Sequence, residues 1–508
     1  MIQEVTAIQE AAEIQEVAVA QAPAGRNRVL RNVTVLAGSQ VVTWGLSLLW
    51  ILVVPRHIGA GGLGILTAAS AAVAIFASFM ASGPRILMVK EIARDRAQAP
   101  RILGSFLIID LAIYPATLVL MALYVRFGHF DTQHTIILWL AAVALLPSLL
   151  KGLLQGAFQA VERMEYIAAS DIFSNLGYTG LGIVIVSLGF NVLQLAWLGV
   201  GLEFVGLVMN AIWIRSLIRV RWRPDLKLIR RLLVNSLPYC ANYVVHVTYT
   251  WIDTVILATM TTTVVVGWYG ASSRLLSSLF FIPVILSTAL LPRLAAAYDG
   301  NLKKLQDLTR PALELVMVAS LPVAVGAALV SGHLIAVLYG PDFARAEVVL
   351  SLLLFSLPFT YFNILVWQVL VASNRQLTWT KVMVGATVVN VVANIGLVAF
   401  FQSRFGNGAE GAAVAMILTE ALMTGAGLVL LPRMLNLGSV KRLLRAVAAT
   451  AAMAMLVWSV RGLGLAAELL VGCATFGTTG LLLRLMSRDE LRVLRAAVGR
   501  RLRPKLAA

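Results

Sequence analysis

Fourteen long apolar stretches run the length of this chain, separated by short loops that are alternately rich and poor in lysine and arginine. A helix needs about 20 predominantly apolar residues to cross the hydrocarbon of a bilayer. Such spans are predicted near 33–54, 63–88, 102–126, 134–157, 167–189, 192–217, 233–259, 264–292, 309–339, 346–373, 378–402, 408–432, 441–460 and 463–486. With 59% hydrophobic and 13% charged residues and a mean hydropathy of +0.86, most of the surface must face lipid. Backbone polar groups in lipid have to be satisfied internally, which spans of this length do as helices. The expected fold is an all-α integral membrane protein with fourteen transmembrane helices.

If the first span runs outward, the outer loops hold only Arg56, Arg126, Arg345, Arg404 and Arg461, and Arg274 lies inside a span. The other 35 of the 41 Lys and Arg then face the cytoplasm. That bias is the positive-inside pattern and places both termini in the cytoplasm. The net charge of +17 is distributed loop by loop, not gathered on one water-facing domain, so nucleic acid is excluded as a partner. Anionic lipid headgroups of the inner leaflet are the expected partners of these loops. Cys240 and Cys473 both fall in apolar spans, where thiols are expected and no disulfide. The opening MIQEVTAIQEAAEIQEV has four acids, no early basic residue and no apolar core, so no cleaved signal peptide is expected.

The domain organisation follows from the same pattern. Residues 1–30 carry three IQE units six residues apart, a period of neither heptad nor helical turn, and are expected to form a mobile cytoplasmic tail. Six spans over 31–217 make a first lobe, a basic linker covers 218–231, and six more spans over 232–432 make a second lobe. An even number of spans sends both lobes into the membrane in the same direction, so an internal duplication would be a parallel repeat. Gly64 then corresponds to Gly267, Pro84-Arg85 to Pro292-Arg293, and Asp171 with Asn175 to Asn390 with Asn394. Two further spans occupy 433–486, and a basic tail, 487–508, carries a possible capping box at Ser487 and Glu490. Its apolar stripe predicts an interfacial helix.

Polar side chains within spans are costly and normally face the bundle interior or a wet cavity. On the seventh span Asn235, Tyr239, Asn242, His246, Tyr249 and Asp253 fall at offsets 0, 4, 7, 11, 14 and 18, one continuous helical face. The first span offers Asn32, Ser39, Thr43 and Ser47; the tenth Thr360, Asn363, Trp367 and Asn374; the fourth Lys151, Gln155 and Glu162. Arg274 on the eighth span faces inward. These stripes describe either a polar, cationic cavity between two lobes or interhelical hydrogen bonds. Arg274 lies about 15 Å and Asp253 about 9 Å from the outer ends of their spans at helical rise. The two either neutralise one another or leave Arg274 to receive an anionic group. Asp253, Glu203, Glu420 and Asp171 are candidate carriers of a coupling proton or sodium ion, although Glu203 and Glu420 serve equally well as protonated packing residues.

From Pro55 the chain reads PRHIGAGGLGILTAASAAVAIFASFMASGPRILMVKEIARD. Later come LLVNSLPYCANYVVHVTYTWIDTVILATM, GWYGASSRLLSSLFFIPVILSTALLPRLA and VVNVVANIGLVAFFQSRFGNGAEGAAVA. In this order the four stretches resemble the polysaccharide biosynthesis and export family, the Wzx-type O-antigen and teichoic acid translocases of the MOP superfamily. The resemblance covers residues 28–432. It implies a MATE/MOP-like fold in a bacterial cytoplasmic (inner) membrane. It also implies a flippase that moves undecaprenyl-pyrophosphate-linked oligosaccharide outward by alternating access, with polysaccharide polymerase and chain-length regulators as further partners. By analogy, Arg274, Arg85, Lys151, Arg31 and Arg56 would meet the pyrophosphate, with Asn242, His246, Tyr249 and Asn363 in the cavity. The last two spans resemble those that form a lipid-tail groove in fourteen-span relatives. Sparse cavity arginines depart from the lipid II flippase pattern, which argues against a peptidoglycan precursor.

No cofactor is expected; coupling would use a proton or sodium gradient and the membrane potential. Moving about two negative charges outward is favoured by about 2.3 kcal/mol per charge per 100 mV. GAGGLG, Gly59 to Gly64, matches a dinucleotide-binding pattern but follows no strand. There is no His/Cys cluster at metal spacing and no nucleophile motif, so the chain is expected to be a transporter and not an enzyme such as a membrane polymerase or ligase. The competing transporter reading is a cation-coupled multidrug or small-molecule antiporter of the same superfamily, sustained by Asp253, Glu203 and Glu420.

Overall fold

The computed structural model describes residues 26–80, 82–128, 130–220 and 225–485. The N-terminal repeat, the capping box at Ser487 and Glu490, and the side chains of Arg31, Asn32, Pro84 and Pro292 lie outside the described residues. Among the described residues there is no strand. The helices are α1 Arg26–Ser78, α2 Ser82–Arg94, α3 Ala99–Gly128, α4 Thr132–Ala160, α5 Met164–Ser187, α6 Val192–Arg215, α7 Leu226–Met260 and α8 Thr263–Ser278. There follow α9 Phe281–Ala297, α10 Leu302–Leu329, α11 Ser331–Leu338, α12 Ala346–Leu354, α13 Leu357–Ala372, α14 Gln376–Phe405, α15 Gly408–Leu430, α16 Leu437–Ser459 and α17 Leu465–Leu482. Ten stretches among the described residues are long and apolar enough to cross a membrane, or eleven if α12 and α13, bent by 44°, make one span.

Four predicted continuous spans are broken. The second divides between α1 and α2, the eighth between α8 and α9, the ninth between α10 and α11, and the tenth between α12 and α13. Pro84, Pro283 and Pro358 sit in the first turns of α2, α9 and α13. Proline has no amide hydrogen to donate backward, so it is tolerated where a helix starts and breaks one that tries to continue. The turn predicted after Pro55 is in turn much shorter than a loop: α1 kinks at Gly59 alone, at φ 69° and ψ 178°, a region open essentially to glycine. Glu162 and Asn374, predicted on helical faces, are instead left-handed residues just past α4 and α13, at φ 63° and 56°.

Short polar residues fix several helix starts. Asp131, Asn191, Asp225, Asn301 and Asn436 each accept a hydrogen bond from a first-turn amide, and Asn191 with Gln194 and Asn436 with Ser439 close capping boxes.

The chain divides into two compact units. One comprises Met1–Phe281, Ile335–Leu350 and Leu377–Thr419; the other comprises Ile282–Leu334, Ser351–Gln376 and Glu420–Ala508. The first is centred on Met88, Ile92, Ile102, Leu103, Phe106 and Phe158, which α2, α3 and α4 bring together with α6 and α7. A second apolar cluster joins Ile65 and Ala69 of α1 to Ile137 and Leu138 of α4. In the other unit Val318 of α10 packs on Ala446 and Ala449 of α16. Outward-facing Val429, Leu437 and Leu482 are about four-fifths exposed, the burial pattern of helices solvated by lipid.

Candidate functional site

The polar face of α7 is continuous, and its burial deepens along the helix. Asn235 and Tyr239 are exposed, Asn242, His246 and Tyr249 half-buried, and Asp253 buried. Two contacts show what this face meets. Asn242 Nδ2 donates to Thr380 Oγ1 of α14 at 2.7 Å, and Asn394 Nδ2 of α14 donates to Asp253 Oδ1 at 2.8 Å. The stripe expected to line a cavity is thus engaged at these two positions in interhelical hydrogen bonds. The cause is local: Thr380 and Asn394 put polar groups on α14 at matching heights.

Around Asp253 the polar groups form a nest. Tyr269 of α8 donates from its hydroxyl to Asp253 Oδ2 at 2.9 Å. Asn394 Nδ2 also reaches the carbonyl and Oδ1 of Asn390, at 3.0 and 3.1 Å. Asn390 Nδ2 approaches Thr419 Oγ1 of α15 at 3.4 Å, and Thr419 donates to the Ala415 carbonyl at 2.7 Å. Asn394 Oδ1 is buried with no hydrogen-bond donor among the described residues. One carboxylate with several neutral oxygens is a donor set that suits a proton or a hard monovalent cation. No group of three His, Cys, Asp or Glu able to hold a metal ion occurs among the described residues.

Arg274, half-buried on α8, stands apart from that nest. Its guanidinium lies over the Trp50 ring at 4.5 Å, and Trp50 stacks on Tyr178 with ring centroids 6.2 Å apart. Among the described residues Arg274 forms no ion pair, with Asp253 or any other carboxylate. An aromatic face holds a guanidinium in place without neutralising it, so Arg274 keeps its charge for a further anion.

The other sequence-predicted groups are mostly engaged with one another. Lys151 Nζ of α4 lies 2.7 Å from Glu203 Oε2 of α6, a charge contact without the angle of a hydrogen bond. Gly206 makes room for it, since a Cβ there would sit 3.2 Å from Lys151 Cδ. Gln155 bridges Ser170 and Asp171 at 3.3 and 3.1 Å. In the second unit Asn363 donates to Glu420 Oε2 at 2.8 Å and to the Glu420 carbonyl at 3.1 Å. Arg56 donates to the carbonyls of Val337 and Leu338, capping the C-terminus of α11. Arg85 is half-buried on α2, its stem against the Gly156 position.

Two features escaped the sequence reading. Asp110 of α3 is fully buried, and neither carboxylate oxygen has a hydrogen-bond partner among the described residues; a lone acid in the run IIDLAIY was its only signal. The second is a close crossing of α1 and α8. A Cβ on Gly64 would stand 1.7 Å from the Thr263 carbonyl, one on Gly267 1.9 Å from the Ala60 carbonyl, and one on Gly270 2.6 Å from Thr67 Oγ1. Beside it, Trp268 Nε1 donates to the Asp342 carbonyl at 3.0 Å, and Arg345 lies over the Trp268 ring at 5.6 Å.

Helices without a hydrolytic, redox or transfer centre, polar within the membrane and joined at small-residue crossings, define a transporter and not an enzyme. The chain matches the family described as polysaccharide biosynthesis protein over residues 29–297, and the MatE family over residues 238–395. It belongs to the polysaccharide biosynthesis protein family, within the MOP superfamily. It is 24% identical to the probable low-salt glycan biosynthesis flippase Agl15 of Haloferax volcanii over 391 residues, 75% of this chain and 78% of that protein. It is 29% identical to the probable flippase AglR of the same organism over 182 residues, 35% of this chain and only 37% of AglR. A structure of the lipid II flippase MurJ in an inward closed conformation shares the fold, with a TM-score of 0.70, 14% identity, and coverage of 90% of this chain and 99% of that one.

Proposed function

We propose that this protein is a flippase for lipid-linked glycans, moving undecaprenyl-pyrophosphate-linked oligosaccharide from the inner to the outer leaflet of a bacterial cytoplasmic membrane. In this reading the chain crosses fourteen times, keeps both termini in the cytoplasm and hands its product to a polysaccharide polymerase with its chain-length regulator. The observation that carries the proposal is Arg274, an intramembrane guanidinium that aromatic rings hold and no described carboxylate neutralises. A pyrophosphate cannot cross about 30 Å of hydrocarbon unaided, whereas a polyprenyl tail dissolves in it. A fixed cation beside a lipid-facing helix serves the first need without disturbing the second. The flippase names of Agl15 and AglR support the same class of cargo.

The coupling ion, proton or sodium, is assigned to Asp253 with Asn394, Asn390 and Thr419, where a carboxylate and neutral oxygens converge. The antiporter reading is favoured by the match to the MatE family and by the buried Glu420. Reconstituted vesicles carrying a fluorescent prenyl-pyrophosphate glycan separate the two readings. Flippase activity predicts quenchable outer-leaflet glycan, lost in Arg274→Ala and partly restored in Arg274→Lys. Ion-driven efflux of a cationic dye with no glycan movement would establish the antiporter instead.

A further inference from the structure

α7 carries a second face, opposite the polar one. Arg230, Leu233, Leu237, Ala241 and Val244 fall at offsets 0, 3, 7, 11 and 14. The apolar members close a cavity of about 560 Å³ against Phe79 and Met80, at the break between α1 and α2, and Ile113 of α3. Ligand cavities range over about 300–1,000 Å³, so the volume suits a stretch of hydrocarbon chain. Its hydroxyl, Ser236, donates to the Leu233 carbonyl of its own helix at 2.9 Å. A space with so little hydrogen-bonding capacity does not hold ordered water.

Charge completes the pattern. Arg230 lies one turn before Leu233 on the same face, is exposed, and forms no ion pair among the described residues. Arg231 and Lys227, also exposed, flank it. A cationic mouth leading into an apolar cavity fits an amphiphile with a concentrated anionic head and a hydrocarbon tail.

Resting on the flippase reading above, we propose that this face is where the substrate's prenyl-pyrophosphate end is taken up, the phosphates at Arg230 and the first stretch of isoprenoid in the cavity. This places the tail against α3 and α7 at the stage of capture. The site is distinct from Arg274, which then serves the head deeper along α8.

Cys240 lines the cavity and reports on its occupancy. Full-length protein carrying Cys473→Ser, so that Cys240 is the sole thiol, is reconstituted in phosphatidylcholine vesicles and labelled with a membrane-permeant maleimide. A few mole per cent of a polyprenyl pyrophosphate is expected to slow labelling by about threefold or more. Phosphatidic acid, anionic but with acyl chains, is expected to leave it unchanged. Arg230→Ala is expected to abolish the protection. Equal slowing by phosphatidic acid would make the cavity a general lipid crevice and overturn the proposal, as would no slowing or slowing undiminished in Arg230→Ala. The same vesicles carry the leaflet assay. Glycan movement without Cys240 shielding removes the capture site alone, and absence of movement by the unsubstituted protein removes the flippase reading.

Discussion

Gly64 and Gly267 hold α1 and α8 in backbone contact, each lying where a methyl group would penetrate a carbonyl of the opposite helix. Interfaces between membrane helices favour small residues because lipid offers no hydrophobic drive to association, and close approach gains dispersion and weak hydrogen bonding instead. Gly64→Ala is therefore expected to lower stability by about 1–3 kcal/mol, the range of overpacked cores. Gly38→Ala, with nothing within 4 Å of the new methyl, is expected to leave stability unchanged. Thermal unfolding in detergent, followed by exposure of buried thiols, compares the two.

Lys151 and Glu203 form a pair whose side chains are only 12% and 27% exposed. Removing one partner strands the other, which costs about 3–5 kcal/mol in a fully buried pair and roughly 2 kcal/mol at this partial exposure. Lys151→Met alone is expected to destabilise by that amount, while Lys151→Met with Glu203→Gln recovers most of it. If the double variant folds well yet flips no glycan, the pair acts in transport beyond its part in packing.

Asp253 receives its two donors from different helices, Tyr269 on α8 and Asn394 on α14. Tyr269→Phe removes one charge-assisted hydrogen bond and is expected to cost about 1.5–3 kcal/mol. Asp253→Asn is expected to insert and fold but to lose all response of transport to sodium and pH gradients. A gradient response identical to that of the unsubstituted protein would remove Asp253 from coupling.

Asp110 presents the opposite case, a buried acid whose oxygens find no donor among the described residues. An unsatisfied buried polar group costs about 1–3 kcal/mol. Asp110→Ala is therefore expected to equal or exceed the parent in thermal stability despite the small void it leaves. A clear loss of stability would mean that the carboxyl is paired in the folded protein.

The sequence made the helices legible because lipid imposes a length and a composition on anything that crosses it. The seventh-span stripe was legible too, and so was the correspondence of Gly64 with Gly267, although as repeat positions and not as surfaces in contact. Hydropathy carries no information about direction, so the breaks at Pro84, Pro283 and Pro358 were absorbed into continuous spans. Side-chain partnership was hidden for a related reason. Periodicity says that Asn242 and Asp253 share a face, but only the placement of α14 says that Thr380 and Asn394 face them. The Lys151–Glu203 contact joins residues about 50 apart in sequence, with no local pattern to link them.

Gly59 turns the chain between the two arms of α1 through a single backbone unit, where most membrane hairpins use several residues. Such a joint has no slack. Any tilt of the arm that carries Trp50 is passed to the arm that carries Gly64, and through that glycine to the helix bearing Arg274. The aromatic seat of the cation and the crossing beside it are thereby geared together, so neither can shift while the other stays still.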